Sequence, residues 1–449
     1  MHDPIPSLVP SVIRAAALLA ACLSFGPSRA AAQEQKQEKP QVAVGKCREI
    51  PGALIERDKA GAPWKLLKSD DAVLSEALLI ALPEAQIVSN NGAVQLIMMA
   101  DISRRGPLPV LESAVRIHEN PKVDLDITLS RGIVVFKNLK DQGAGKVTVR
   151  FRGQTWNITL KDPGALVGME IYGRYCAGCR KFLDKSGEKT RADVMPSFTV
   201  FLLVREGHAT IHTRKQELAM DEPPGPALLQ WDSDDNEAEV TRLEKAPPSL
   251  RPTTQEEINK YKTICDSIKH MLEKPVDSVP QEFRDSPDDT ERRVAAVLAG
   301  ALDQVPQMID ALSDTQHADV RDTAVRVLRN WIGRGPRQLE RLYQGLTDHG
   351  KMTPNQAKTA IQLLFGFDDD QQEQPATYEL LIGYLQHDSL PIRELARWHL
   401  VRLVPKGQKF DYDAGASEEK RKEATEKWKA LIPEGKLPPS LKSGPVEKK

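Results

Sequence analysis

The chain has 449 residues, 28% of them charged and nearly balanced at a formal net charge of −1, with 5% aromatic residues. The length allows two or three domains at about 150 residues each. The balanced charge removes the electrostatic basis for a nucleic-acid partner.

Residues 1–32 read as an export signal peptide. Arg14 supplies a positive start, and AAALLAACLSF is an apolar core of 11 residues ended by Gly26 and Pro27. AAAQ offers small residues for cleavage between Ala32 and Gln33. The core is too short to remain as a spanning helix, and no later segment is apolar for long enough, so no integral membrane span is expected. The alternative for this segment is a lipid anchor. LAAC, Leu19 to Cys22, resembles the lipobox of bacterial lipoproteins, with Cys22 as the lipidated residue. Either way the expected location is the periplasm or cell envelope, where disulfides are permitted. Once Cys22 is set aside, Cys47, Cys176, Cys179 and Cys265 remain, and four cysteines allow three pairings. Cys47 and Cys265 flank the next region and are candidates to close it.

Residues 33–45, polar and low in complexity, read as a flexible linker. A β-rich domain is expected over 46–240, its period-two pattern running from about 63 to 235. VDLDITLSRGIVVFKN alternates Val123, Leu125, Ile127 and Leu129 with polar residues and is expected to turn at Arg131-Gly132. KVTVRFRGQTWNITLKD gives two strands around Gly153, and SFTVFLLVREGHATIHTRKQELAM two more around Glu206-Gly207. Alternating runs with glycine turns predict an antiparallel β sandwich or barrel-like domain. DAVLSEALLIALP fits a helix or a strand, and SRRGPLPVLESAV a loop entering a strand.

Near residue 236 the chain turns charged and proline-rich, which marks a boundary. A linker and connecting helix are expected over 241–286, helical hairpins over 287–432 and a disordered tail over 433–449. Apolar spacing near 3.6 predicts helices at 253–273, 289–302, 304–313, 318–332, 337–347, 354–366, 376–386, 391–404 and 418–432. Ala324, Ala360 and Ala396 recur every 36 residues, as do Leu328, Leu364 and Leu400. A small residue one turn before a leucine, repeated at fixed period, predicts an α-solenoid of stacked hairpins. The fold class is therefore α+β, multidomain.

DVRDTAVRVL (319–328) and PIRELARWHL (391–400) share an arginine three residues before the alanine, a pattern that resembles HEAT repeats; the middle unit, PNQAKTAIQLL, lacks it. LDITLSRGIVVFKN, the KVTVRFRG segment and VFLLVREGHATIHTRKQELAM, with their RG and EG turns, resemble the FecR-type extracytoplasmic domain. The resemblance implies an envelope-side sensing or ligand-binding module. Its transmembrane signalling does not carry over, because the cytoplasmic segment and membrane helix of that family have no counterpart here.

YGRYCAGCRKF places Cys176 and Cys179 in a C-x-x-C spacing between basic residues. A redox dithiol is one reading, since a C-x-x-C pair at a helix N-terminus lowers a thiol pKa. The residues before Cys176 belong to an all-β pattern and not a βαβ unit, which favours a disulfide or two thiols at a strand end. His208 and His212 imitate the second half of a zinc finger. On a strand, however, they would stand about 13 Å apart at about 3.3 Å per residue, too far to share an ion. The acidic runs 232–239 and 368–373 lack the spacing of a calcium loop. Trp331, Trp398 and Trp428 are assigned to the helical core. No motif calls for a cofactor or a metal. The expected function is a non-enzymatic binding or scaffold protein of the envelope, with a protein partner on the helical-repeat surface. The alternatives are an exported thiol-disulfide oxidoreductase using Cys176 and Cys179, and a carbohydrate-binding accessory protein.

Overall fold

The computed structural model describes residues 40–100, 111–175, 177, 195–234, 237–247 and 254–439. They form an α+β protein, with strands in the N-terminal half and helices after them.

The strands are β1 (Ala43–Cys47), β2 (Ala53–Arg57), β3 (Lys65–Leu67), β4 (Ala72–Leu74), β5 (Leu78–Leu82), β6 (Glu84–Ser89), β7 (Val94–Met99) and β8 (Ser113–His118). They continue as β9 (Leu125–Asn138), β10 (Gly145–Phe151), β11 (Gln154–Leu160), β12 (Leu166–Arg174), β13 (Ser197–Glu206), β14 (His208–His212), β15 (Glu217–Asp221), β16 (Gly225–Asp232) and β17 (Ala238–Leu243). One ladder runs β4-β1-β6-β7-β9-β12-β13-β16-β17. The other runs β3-β2-β5-β8-β9-β10-β11-β14-β15. Inward side chains from both ladders form one apolar cluster, in which Phe151, Trp156 and Trp231 meet edge to face.

Strand β9 belongs to both ladders. Residues Asp126–Arg131 pair with β8 and residues Ile133–Asn138 with β7. The turn expected at Arg131-Gly132 is a corner between the ladders and not a hairpin. Gly132 has φ +98°, and a Cβ there would lie 2.6 Å from the Glu112 carbonyl oxygen. Only glycine fits this crossing point. Beyond the corner the chain doubles back, so that Lys140 Nζ reaches Asp124 Oδ2 at 2.8 Å. Strand β10 then starts beside the start of β9 and runs parallel to it. The expectation of purely antiparallel pairing is corrected there.

The helices are α1 (Gln255–Met271), α2 (Asp289–Ala301), α3 (Val305–Leu312), α4 (Ala318–Ile332), α5 (Arg337–Asp348), α6 (Pro354–Phe365), α7 (Asp369–Gln372), α8 (Pro375–Tyr384), α9 (Leu390–Leu403) and α10 (Glu418–Leu431). Short 3₁₀ segments cover Val276–Arg284 and Pro405–Lys409. Local chemistry sets several starts. Thr254 with Glu257 and Thr353 with Gln356 make capping boxes, Asp288 accepts from two backbone N–H groups, and proline opens α6 and α8. The repeated Ala324, Ala360 and Ala396 on α4, α6 and α9 are all buried, as are Leu328, Leu364 and Leu400.

The two regions share a core. Ala53 and Ile55 of β2, Ile80 and Leu82 of β5, and Ala114 of β8 face the helices, whereas Leu54, Leu79, Ala81 and Val115 between them face the sheet interior. Tyr175, just past β12, stacks on Phe365 of α6 with ring centroids 5.1 Å apart. The charged stretch read as a boundary near residue 236 carries β17, a largely exposed edge strand paired with β16.

Candidate functional site

One end of the ladders meets the helices, and the chain places a group of arginines there. Each sits beside a glycine where a regular element bends or stops. Arg131 precedes Gly132 at the β9 corner. Arg152 and Gly153 form the two-residue turn between β10 and β11. Arg334 follows Gly333, the residue that caps α4.

The glycines permit contact at backbone distance. A Cβ on Gly173 of β12 would lie 2.0 Å from the Gly333 carbonyl oxygen, and a Cβ on Gly333 would lie equally close to that of Gly173. The seam is therefore main chain against main chain, and the adjacent side chains are drawn together.

Glu112, buried at 2% exposure, is the hinge of the charge network. Its Oε1 accepts from Arg131 Nε at 2.6 Å and from Arg334 Nη2. The same arginines cap the end of α2: Arg131 Nη2 donates to the Ala301 carbonyl at 2.9 Å and Arg334 Nη1 to that of Gly300 at 2.7 Å. The last carbonyls of a helix lack intrahelical partners and carry the negative end of its dipole, so both contacts satisfy and neutralise. Asp303, at φ +59°, accepts from Trp331 Nε1 at 2.7 Å and lies 3.7 Å from Arg334.

Arg152 is different. It keeps solvent contact, its guanidinium lies 4.0 Å from the centre of the Phe198 ring, and its Nη2 donates to the Ser130 carbonyl at 3.4 Å. Among the described residues no carboxylate pairs with it. Desolvation by the cleft walls, and after it the Arg131 charge, lowers its pKa to about 10. Burial and the same neighbouring charge lower that of Arg334 to about 10. The Nε of Arg334 is buried without a hydrogen-bond partner. The three guanidinium groups line a cavity of about 220 Å³, together with Thr128, Ser130 and Gln338.

The residues singled out in the sequence fall elsewhere. Cys22, Cys176 and Cys179 lie outside the described residues. The flanks of the C-x-x-C segment, β12 and β13, are adjacent antiparallel strands with Arg174 opposite Ser197. Cys47 and Cys265 do not pair: both are free and buried, and burial raises their pKa values to about 12 and about 11. That corrects the disulfide suggested by their flanking positions. His208 and His212 do not form a metal site. They stand on β14 and face separate carboxylates: His208 Nδ1 is hydrogen-bonded to Asp162 at 2.8 Å, and His212 Nδ1 lies 3.6 Å from Glu217. Among the described residues no group of three or more His, Cys, Asp or Glu is placed to hold a metal. The acidic run at 368–373 is the short helix α7, capped by Asp368. Trp331, Trp398 and Trp428 are buried in the helical core. Among the described residues no helix is long and apolar enough to cross a membrane.

The arginine cleft was missed in the sequence. Its one local signal is the arginine–glycine neighbour pair, which occurs at all three positions, but nothing in the spacing says that they converge. No protein-family model, curated protein or solved structure matches this chain.

Proposed function

We propose that this is an exported binding or scaffold protein of the bacterial cell envelope. In this reading the two ladders are a sandwich with a FecR-like ligand-binding role. The helices are a HEAT-like α-solenoid that docks a protein partner. The observation that carries the reading is the packing of α4, α6 and α9 against one another, each with a buried alanine and leucine at equivalent positions, with α5 and α8 alongside. Stacked hairpins of this kind present long, continuous surfaces suited to macromolecular partners. Glu340 and Gln344 of α5 and Glu379 of α8 are on the solvent side.

The shared core makes the full-length protein the right object for a test. Photo-crosslinking residues placed at 340, 344 and 379, and at Thr155 and Glu239 on the strands, are compared in the native host. One partner captured from the helical positions and not from the strands supports the docking reading. Capture from the strands alone, or none from the helices, overturns it. The mass of the same purified protein reads its N-terminus. A start at Gln33 or a lipidated Cys22 agrees with export, whereas an intact Met1 terminus contradicts it.

A further inference from the structure

We propose that the cleft formed by Arg131, Arg152 and Arg334 is a binding site for a phosphate-class tetrahedral oxyanion, free or carried as a small phosphate ester. Three observations converge on it. The first is charge. Three guanidinium groups face two carboxylates, Glu112 and Asp303, which leaves one positive charge uncompensated in a concave site. Both carboxylates are engaged with Arg131 or Arg334, so the surplus resides on Arg152.

The second is unused donor capacity. Arg334 is buried, with 8% of its side chain exposed, and its Nε has no partner although its other nitrogens are bonded. That Nε is closed off from the cavity, so what Arg334 offers an anion there is its charge, and the free donors are those of Arg152. Arg152 contributes a guanidinium whose described contacts are a ring face and one long bond to a carbonyl.

The third is shape. A cavity of about 220 Å³ is smaller than the roughly 300–1,000 Å³ of drug-sized ligand pockets, which points to a small ion or head group. The donors come from three separate elements around the cavity. A tetrahedral anion offers oxygens in several directions, whereas the two oxygens of a carboxylate are coplanar and match a single guanidinium fork. Thr128 and Ser130 add hydroxyl-bearing residues to the wall.

This inference does not depend on which partner docks on the helices. Isothermal titration of the full-length protein with inorganic phosphate tests it. The expected result is saturable binding at one site, competed by sulfate and by glycerol phosphate but not by acetate at equal ionic strength. Arg152→Ala removes a charge-assisted contact and is expected to weaken binding about tenfold or more. Arg152→Lys keeps the charge and is expected to retain part of the affinity. Arg214→Ala, at an exposed arginine on another turn, serves as the charge-matched control and is expected to leave binding unchanged. Tighter binding of glycerol phosphate than of free phosphate assigns the site to an ester, and the reverse assigns it to the free ion. Absence of phosphate binding overturns the proposal. So does an equal loss in the Arg152 and Arg214 variants, or equal competition by acetate.

Discussion

The sheet and the helical region bury their backbones by different means. In the ladders each strand satisfies its N–H and C=O groups through its neighbours, so the interior needs only apolar side chains, and Phe151, Trp156 and Trp231 fill it. Packed helices leave carbonyls unpaired at every helix end and turn, and packing takes those ends out of water. Here long cationic side chains fold back onto them. Arg292 donates to the carbonyls of Ser286 and Pro287, Arg321 to that of Asp314, and Arg393 to those of His387 and Asp388. Arg329 and His399 donate to the Leu364 and Leu363 carbonyls at the end of α6. The helical region therefore buries cations, Arg321 and Arg393, whereas the charged residues buried among the strands are carboxylates, Glu56, Glu84 and Asp126. The arginine cleft lies where the two solutions meet, with Arg131 of the sheet capping a helix.

The sharpest way to expose the difference is to remove one of those buried cations. Arg321 and Glu394 are both fully buried, with Nε and Oε2 3.0 Å apart. Arg321→Met takes the partner from Asp413 and leaves Glu394 with Arg397, 3.0 Å from its Oε1, and is expected to cost about 3–4 kcal/mol, read from a denaturant midpoint. Adding Glu394→Leu should recover part of that loss. In the sheet interior Leu202→Met is expected to cost under about 1.5 kcal/mol. If Arg321→Met proves as mild as Leu202→Met, the contrast between the regions fails.

The seam between them is tested next. Gly173→Ala sets a methyl 2.0 Å from the Gly333 oxygen and 2.6 Å from the Phe198 ring. Main chain must move, and a loss of about 3 kcal/mol is expected. Gly168→Ala, on the same strand, meets nothing nearer than Val135 at 3.9 Å. It is expected to be neutral or stabilising within about 1 kcal/mol. Equal effects at the two glycines would show that the close approach at the seam is not a constraint.

A smaller effect, and one that depends on pH, comes from His399. Burial first, and the nearby Arg329 charge second, lower its pKa to about 3. Its Nε2–H donates to the Leu363 carbonyl, so the folded ring is neutral. Between the unfolded value near 6.5 and the folded value near 3, the unfolded chain binds a proton that the native protein does not. Stability therefore falls as pH falls through that window, by about 2 kcal/mol between pH 6.5 and 5. Melting curves of His399→Gln, which keeps an N–H donor, are expected to show a shallower slope over this range. An unchanged slope would assign the acid sensitivity to other groups.

What could be read from the sequence follows the same division. Helix α5 buries one stripe, Leu339, Leu342 and Leu346, so period 3.6 survives there, and the observed bounds of α2 to α6 fall within about two residues of those expected. The run Leu78–Leu82 is buried on both faces: Ile80 and Leu82 face the helices, and Leu79 and Ala81 the sheet interior. Its alternation is erased, which is why helix and strand fitted equally well. Strand β17 failed in the opposite way, with four of its six residues exposed and only Ala238 and Leu243 half-buried. The arginine three residues before an alanine also occurs earlier, on α2. Arg292, three residues before Ala295, lies 29 residues before Arg321, off the 36-residue period that identified the others. The cleft required the β9 corner to be known, because only the doubling back of that strand brings the Arg152 turn beside Arg131.

The smallest expected change in stability belongs to Arg152, and it separates folding from function most cleanly. Arg152 and Gly153 have φ +43° and +77°, the left-handed pair that a two-residue hairpin turn requires. Asparagine is the favoured residue at the first of these positions, and arginine is held there at a small cost in strain. Arg152→Asn relieves that strain, worth roughly 0.5–1 kcal/mol. It also gives up the stacking of the guanidinium on Phe198, worth about as much. The melting temperature is therefore expected to stay near that of the parent protein, while phosphate affinity falls as in Arg152→Ala. A large loss of stability would mean that the arginine braces the β10–β11 turn against Phe198. Unchanged stability with lost affinity would mean that the turn tolerates an unfavourable residue because the cleft uses its charge.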